Sequence, residues 1–178
     1  DPAAQYFRWP EAQPDTVTVA TALGDLMADD GWEGAAAWMA SADGVAPALV
    51  GGSKKHGGAD LGPTRARAAW AELGVDGRGI ADKPPAPGLE AMPRLTLRMA
   101  ARIQGFPDSW VFSGRKTAAY RQIGNAFPPP VAEAVGRALA SAFEVTRPSA
   151  TDQSHASMLD LTEGPVTDSL KSAVGSRV

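Results

Sequence analysis

The sequence contains no cysteine, which excludes disulfides, thiolate-ligated zinc and thiol catalysis within its 178 residues. Histidine is nearly absent as well: His56 and His155 are the two present, too few to support a metal site, and none is expected. No apolar run approaches the roughly 18 residues needed to cross a bilayer, and no basic-then-apolar opening marks a secretory signal. The expectation is a soluble, cytoplasmic chain. It opens on Asp1 without an initiator Met, which reads as a start inside a longer polypeptide. Basic charge is scarce where the chain begins. Residues 1–44 hold Arg8 alone against eight acids, so a polyanion would not be met there.

The overall net charge of −3 conceals a strong asymmetry. Residues 94–121 carry Arg94, Arg98, Arg102, Arg115, Lys116 and Arg121 against Asp108 alone, and residues 51–80 carry Lys54, Lys55, Arg65, Arg67 and Arg78 against three acids. The middle of the chain is therefore the part suited to a polyanion. With 19 Gly and 15 Pro, many turns are required and a loop-rich fold follows.

The opening stretch around Tyr6-Phe7-Arg8-Trp9-Pro10 reads as an extended connector. Val17, Ala20, Leu23, Leu26 and Met27 recur at helical spacing behind Asp15 or Thr16 as N-cap, with Gly31 as the stop. Trp32 to Met39 adds a further turn or two, and 46–50 has the look of a short buried strand. Five glycines and a proline within 51–63 dictate a loop. Thr64 then caps a helix from Arg65 to about Leu73 that Gly74 closes, and a second loop, Asp76-Gly77-Arg78-Gly79, leads into a Pro-rich stretch over 84–93. Thr96 opens the clearest helix, Leu97 to Gln104, with Gly105 past its end. A turn region covers 107–118, and a helix from Pro129 or Pro130 through Glu144 carries an apolar stripe of Val131, Val135, Leu139, Ala142 and Phe143. Residues 146–178 read as a Ser/Thr-rich mobile tail.

Three stretches carry a resemblance. Residues 93–108, Pro-Arg-Leu-Thr-Leu-Arg-Met-Ala-Ala-Arg-Ile-Gln-Gly-Phe-Pro-Asp, resemble the ninth conserved motif of bacterial and phage DNA (cytosine-5)-methyltransferases of the Dcm and restriction-modification type. Residues 120–129, Tyr-Arg-Gln-Ile-Gly-Asn-Ala-Phe-Pro-Pro, resemble the tenth. Residues 51–70 are similar to the variable target-recognition region of one branch. The pair of motifs in this order is a specific signal. Met99 stands where the family usually has an acidic residue; a glutamate there would complete a capping box with Thr96, so the sequence predicts the hydroxyl cap without its return bond.

The resemblance implies an α/β enzyme family of which this chain is mostly the small, loop-rich target-recognition lobe, with short helices and strands. A C-terminal helix would pack on a Rossmann-like large domain that lies elsewhere. On that division, residues 1–14 connect from the large domain, 15–110 form the small domain, 111–145 hold the tenth motif and closing helix, and 146–178 are a flexible tail. Family members attack a flipped cytosine with a Pro-Cys thiolate and hold S-adenosyl-L-methionine in a Gly-rich turn. Neither motif is in this sequence. The implied role is recognition and closing, inactive alone, with duplex DNA and a catalytic large domain or partner subunit as partners; the alternative is a non-catalytic DNA-binding module or remnant.

Within that frame, Arg65 behind Pro63-Thr64 corresponds to an arginine presented to DNA, where its planar fork suits guanine or phosphate; the competing reading is a solvated arginine in a first helical turn. Lys54, Lys55 and His56 form a basic cluster between glycines, equally readable as phosphate contacts or as a solubilising loop. Arg78 in the second loop joins the DNA-facing set. Arg98, Arg102 and Gln104 are implied to brace the recognition loops rather than touch DNA. Asn125 and Ala126 are implied to edge the methyl-donor pocket, against the plainer reading of Asn125 as a turn cap. Trp32, Trp38, Trp70 and Tyr120 are expected to fill core or interface.

Overall fold

The computed structural model describes residues 2–12, 15–51 and 58–147; Lys54, Lys55, His56 and most of the Ser/Thr-rich tail lie outside the described residues. The chain divides into two compact units, Asp1–Arg8 with Leu139–Val178, and Trp9–Ala138. In the first, Pro2–Tyr6 forms a 3-10 turn with Ala3 buried. Pro2 presets φ at a helical value and its missing N–H is not needed in a first turn, whereas residues 7–12, within the stretch expected as an extended connector, form no helix or strand.

The larger unit is built from short helices around an apolar core. Helix α1 (Val19–Ala28) packs on α2 (Ala35–Ser41) and on α4 (Leu97–Ile103), and α4 packs on α5 (Lys116–Asn125). Helix α3 (Thr64–Glu72) contributes Trp70, which is fully buried with Leu23, Met27, Leu61, Val75, Leu95, Met99, Tyr120 and Ile123. Each helix is too short to be stable alone, so this shared core is what holds them. Trp38 joins it and donates its indole N–H to the Gly74 carbonyl at 3.2 Å, while Trp32 reaches the Leu89 carbonyl at 2.9 Å. The four aromatic side chains expected as filling thus divide: Trp38, Trp70 and Tyr120 are core, and Trp32 is partly buried against it.

Several boundaries move. Helix α1 is capped by Thr18, whose hydroxyl accepts from the Thr21 N–H at 3.2 Å, and the Val19 and Ala20 amides donate to the Gly44 and Ala42 carbonyls. Asp15 and Thr16 are not the cap, and Val17 lies before the helix, 64% exposed. The tertiary acceptors at 42 and 44 fix where the helix starts. The strand expected over 46–50 does not form, and no named strand occurs among the described residues; one isolated parallel bridge pairs Ala81 with Thr96. Pro47 has no N–H to give a ladder. Pro63, not Thr64, occupies the cap position of α3.

The largest local correction concerns Met99. The Thr96 hydroxyl accepts from the Met99 N–H at 3.2 Å, and the Thr96 N–H donates to the Met99 Sδ at 3.3 Å. The return bond expected to be lost is made to sulfur, a weak acceptor that a buried thioether can place where a glutamate oxygen would otherwise sit. Helix α4 ends at Gly105, whose φ of +86° only glycine adopts without strain. Helix α5 already begins at Lys116, inside the stretch expected as turn, and α6 spans Pro129–Val145 with Ala142 as its buried residue.

Candidate nucleic-acid interface

The segments on either side of residues 52–57 are each held against the rest of the fold. On the entering side, Leu49 is buried and Val50–Gly51 runs directly over the end of α5. A Cβ on Gly124 would lie 2.5 Å from the Gly51 nitrogen and 2.6 Å from the Val50 carbonyl carbon, and one on Gly51 would lie 2.3 Å from the Asn125 Oδ1. Two glycines let main chain meet main chain where no side chain fits. On the leaving side, the Asp60 carboxylate accepts from the Gly62 N–H at 3.0 Å, the Leu61 N–H donates to the Gly77 carbonyl at 3.0 Å, and Leu61 is fully buried.

From that anchor the chain enters α3. Arg65 is exposed in its first turn, and Thr64 is exposed beside it, its hydroxyl accepting from the Arg67 Nη2 at 3.5 Å. The second loop is organised by Asp76, whose side chain is 11% exposed. Its Oδ1 accepts from the Arg78 N–H at 3.0 Å and the Arg78 Nε at 2.9 Å; its Oδ2 accepts from the Arg78 Nη2 at 3.3 Å and the Arg94 Nε at 2.9 Å. These guanidinium bonds hold the Asp76 carboxyl far below the usual carboxylate range, the Arg78 bond contributing most.

The basic residues of α4 bond within the fold. Arg102 donates to Asp108, to Asp25 and, at 3.2 Å, to the Ala22 carbonyl, so one guanidinium ties α4 to α1 and to the following turn. Its hydrogen bonds depress the pKa of both carboxyls, and theirs raise that of Arg102. Arg98 donates to the Trp110 carbonyl at 3.3 Å and the Pro107 carbonyl at 3.5 Å, closing a turn in which Phe106 packs edge-on against Phe112 with ring centres 5.0 Å apart. Gln104 donates to the Ala126 carbonyl at 2.9 Å, joining the end of α4 to the end of α5. Asn125 is exposed, its amide against Gly51 and without a hydrogen-bond partner among the described residues.

Among the described residues, Asp76 joins Arg78 and Arg94 at the second glycine loop, Arg67 lies against Gly77, Thr64 and Arg65 open α3, and Arg98, Arg102 and Gln104 act as cross-ties. Asp76 and Arg94 were missed in the sequence as members of this group. The Asp-Gly-Arg spacing announces a local turn, but the Arg94 contact joins residues 18 apart and has no sequence signature.

A sequence profile described as C-5 cytosine-specific DNA methylase matches residues 49–141, more than half of the chain and the stretch that holds both loops, α3, α4 and α5. The chain belongs to this family. It is similar to the Type II methyltransferase M.NaeI of Lentzea aerocolonigenes, 59% identical over 85% of this chain and 38% of that protein. It is similar also to the Type II methyltransferase M.NgoMIV of Neisseria gonorrhoeae, 46% identical over 78% of this chain and 45% of the relative. DNA (cytosine-5)-methyltransferase 1A of rice is 53% identical over 30% of the chain and 4% of its own length. The chain thus spans under half the length of the curated relatives it matches. No solved structure matches. The chain is thus similar to part of each of these methyltransferases, as its two motifs suggest.

Proposed function

We propose that this methylase portion supplies target recognition and closure to an enzyme that moves a methyl group from S-adenosylmethionine to carbon 5 of cytosine in duplex DNA. Residues 15–110 serve as the small recognition lobe, and 111–145 belong with a catalytic large domain carried by the same polypeptide or by another. The observation that carries this reading is the sorting of the arginines: those of α4 join separate segments of the fold, while Arg65, Arg78 and Arg94 are exposed, Arg78 and Arg94 at the second glycine loop. Glycine loops admit a duplex closely, and guanidinium forks suit its phosphates and guanine edges.

The sequence has no thiol, so the nucleophile must come from the catalytic portion. S-adenosylmethionine supplies the methyl group when bound. The residues present fit an edge of its pocket: the exposed Asn125 amide offers a donor and an acceptor, and Gln104 holds the Ala126 carbonyl in place. Helix α6 fits the closing role, since Val131, Leu139 and Phe143 on its apolar stripe are 46%, 44% and 53% exposed.

The test is reconstitution. Methyl transfer from labelled donor to duplex DNA is expected when the catalytic portion is joined or added to this chain, and none is expected from the chain alone. Transfer by the isolated chain would overturn the reading. Arg65→Ala in the completed enzyme should relax or abolish target choice, and Asn125→Ala should weaken donor binding with target choice kept.

A further inference from the structure

We infer that Asp76 is a positioning residue that presents Arg78 and Arg94 end-on to paired acceptors on duplex DNA. The inference rests on the recognition reading above and adds to it the role of Asp76. Both guanidinium groups approach the carboxylate through their Nε side, and Arg78 adds its Nη2. The carboxylate receives four hydrogen bonds, matching its capacity of about four lone-pair sites, and is saturated. Each arginine keeps its outer edge free: the Arg94 Nη atoms and the Arg78 Nη1 have no hydrogen-bond partner among the described residues. That outer pair of N–H groups is the edge that clamps two phosphate oxygens or the O6 and N7 of guanine.

The surroundings favour presentation over a plain surface ion pair. Asp76 is 11% exposed while Arg78 and Arg94 are 74% and 48% exposed, so the acid lies beneath and the bases above. A Cβ on Gly79 would lie 3.5 Å from the Arg94 Nη1, and one on Gly77 would lie 3.0 Å from the Arg67 Cγ. The loop is thus bare of side chain where Arg94 and Arg67 cross it. The backbone bond from Leu61 to Gly77 ties this loop to the segment that leads into α3. Holding a long side chain in its bound rotamer beforehand removes an ordering cost from binding.

The experiment compares Asp76→Asn with wild type in the chain completed by its catalytic portion, using a fluorescein-labelled random-sequence duplex library and sequencing of the bound fraction. Asp76→Asn makes the protein more positive, so a patch acting by charge alone would bind DNA as tightly or more tightly. Presentation predicts the opposite, a loss of about tenfold, the size of one good bidentate contact. Arg78→Lys and Arg94→Lys keep the charge and lose the fork, and should show the same loss; being exposed positions, they carry the test if Asp76→Asn does not fold. A salt slope reduced by about one identifies phosphate as the acceptor, and an unchanged slope with a lost guanine preference in the bound pool identifies the base edge. Unweakened binding with the same slope and pool in all three variants overturns the inference. Failure of wild type itself to bind any duplex overturns the recognition reading beneath it.

Discussion

Two sets of arginines, one on α4 and one around the glycine loops, use the same side chain in opposite ways. Arg102 is 23% exposed and directs its donors to Asp25, Asp108 and the Ala22 carbonyl, joining three parts of the scaffold. Arg78 and Arg94 share one carboxylate and turn their outer edges to solvent. The difference lies in how many partners the fold supplies. An arginine that bonds several separate segments is a cross-tie, and one held to a single carboxylate by one edge keeps the other available to a ligand.

The comparison breaks first at Arg102. Arg102→Ala should lower stability by roughly 2–3 kcal/mol, below the sum of its bonds because Asp25 and Asp108 are 66% and 53% exposed. Arg65→Ala, by contrast, should stay within about 0.5 kcal/mol. Thermal denaturation measures both, and equal effects would erase the distinction between the two sets.

Gly124→Ala follows, at about 2 kcal/mol, because the new methyl would meet main chain 2.5 Å away rather than a movable side chain. A melting temperature equal to wild type would show that Val50–Gly51 does not press on α5.

Acid comes next. The carboxyls of Asp25, Asp76 and Asp108 are all held below the ordinary aspartate value of 3.8 by their arginine partners. Their folded pKa is depressed, so their contribution is complete above that value and is lost as pH falls below about 4. Denaturation midpoints measured from pH 6 downward should decline there, and Asp76→Asn should flatten part of the decline; a variant with an unchanged profile would argue against the Asp76 node.

The smallest effect has the opposite sign. Tyr120 is fully buried, its hydroxyl has no hydrogen-bond partner among the described residues, and burial raises its pKa, with Asp60 adding to the rise. Tyr120→Phe should therefore stabilise the chain by about 1 kcal/mol, since an unmet buried polar group is removed without a cavity. A lower melting temperature would reveal a partner for that hydroxyl.

Much of this was legible beforehand because it is local. The glycine after α4, the Thr96 cap and the proline start of α6 each follow from a few adjacent residues and the dihedrals they allow. The errors arose where distant groups intervened. The start of α1 waited on carbonyls at 42 and 44, and Met99 kept its capping bond because the surrounding core presses the thioether over the Thr96 N–H. The stretch 46–50 has strand-like composition but found no ladder partner.

By itself the sequence determined the family, through two ordered motifs, and the absence of thiol chemistry within these residues, because chemistry that requires a thiol cannot be done by residues that lack one. It determined too where basic charge accumulates. Only the tertiary structure decided which arginines are cross-ties and which face outward, because that choice depends on whether a carboxylate or carbonyl from a distant segment arrives within about 3 Å of a guanidinium, and such meetings are made by packing rather than by spacing along the chain.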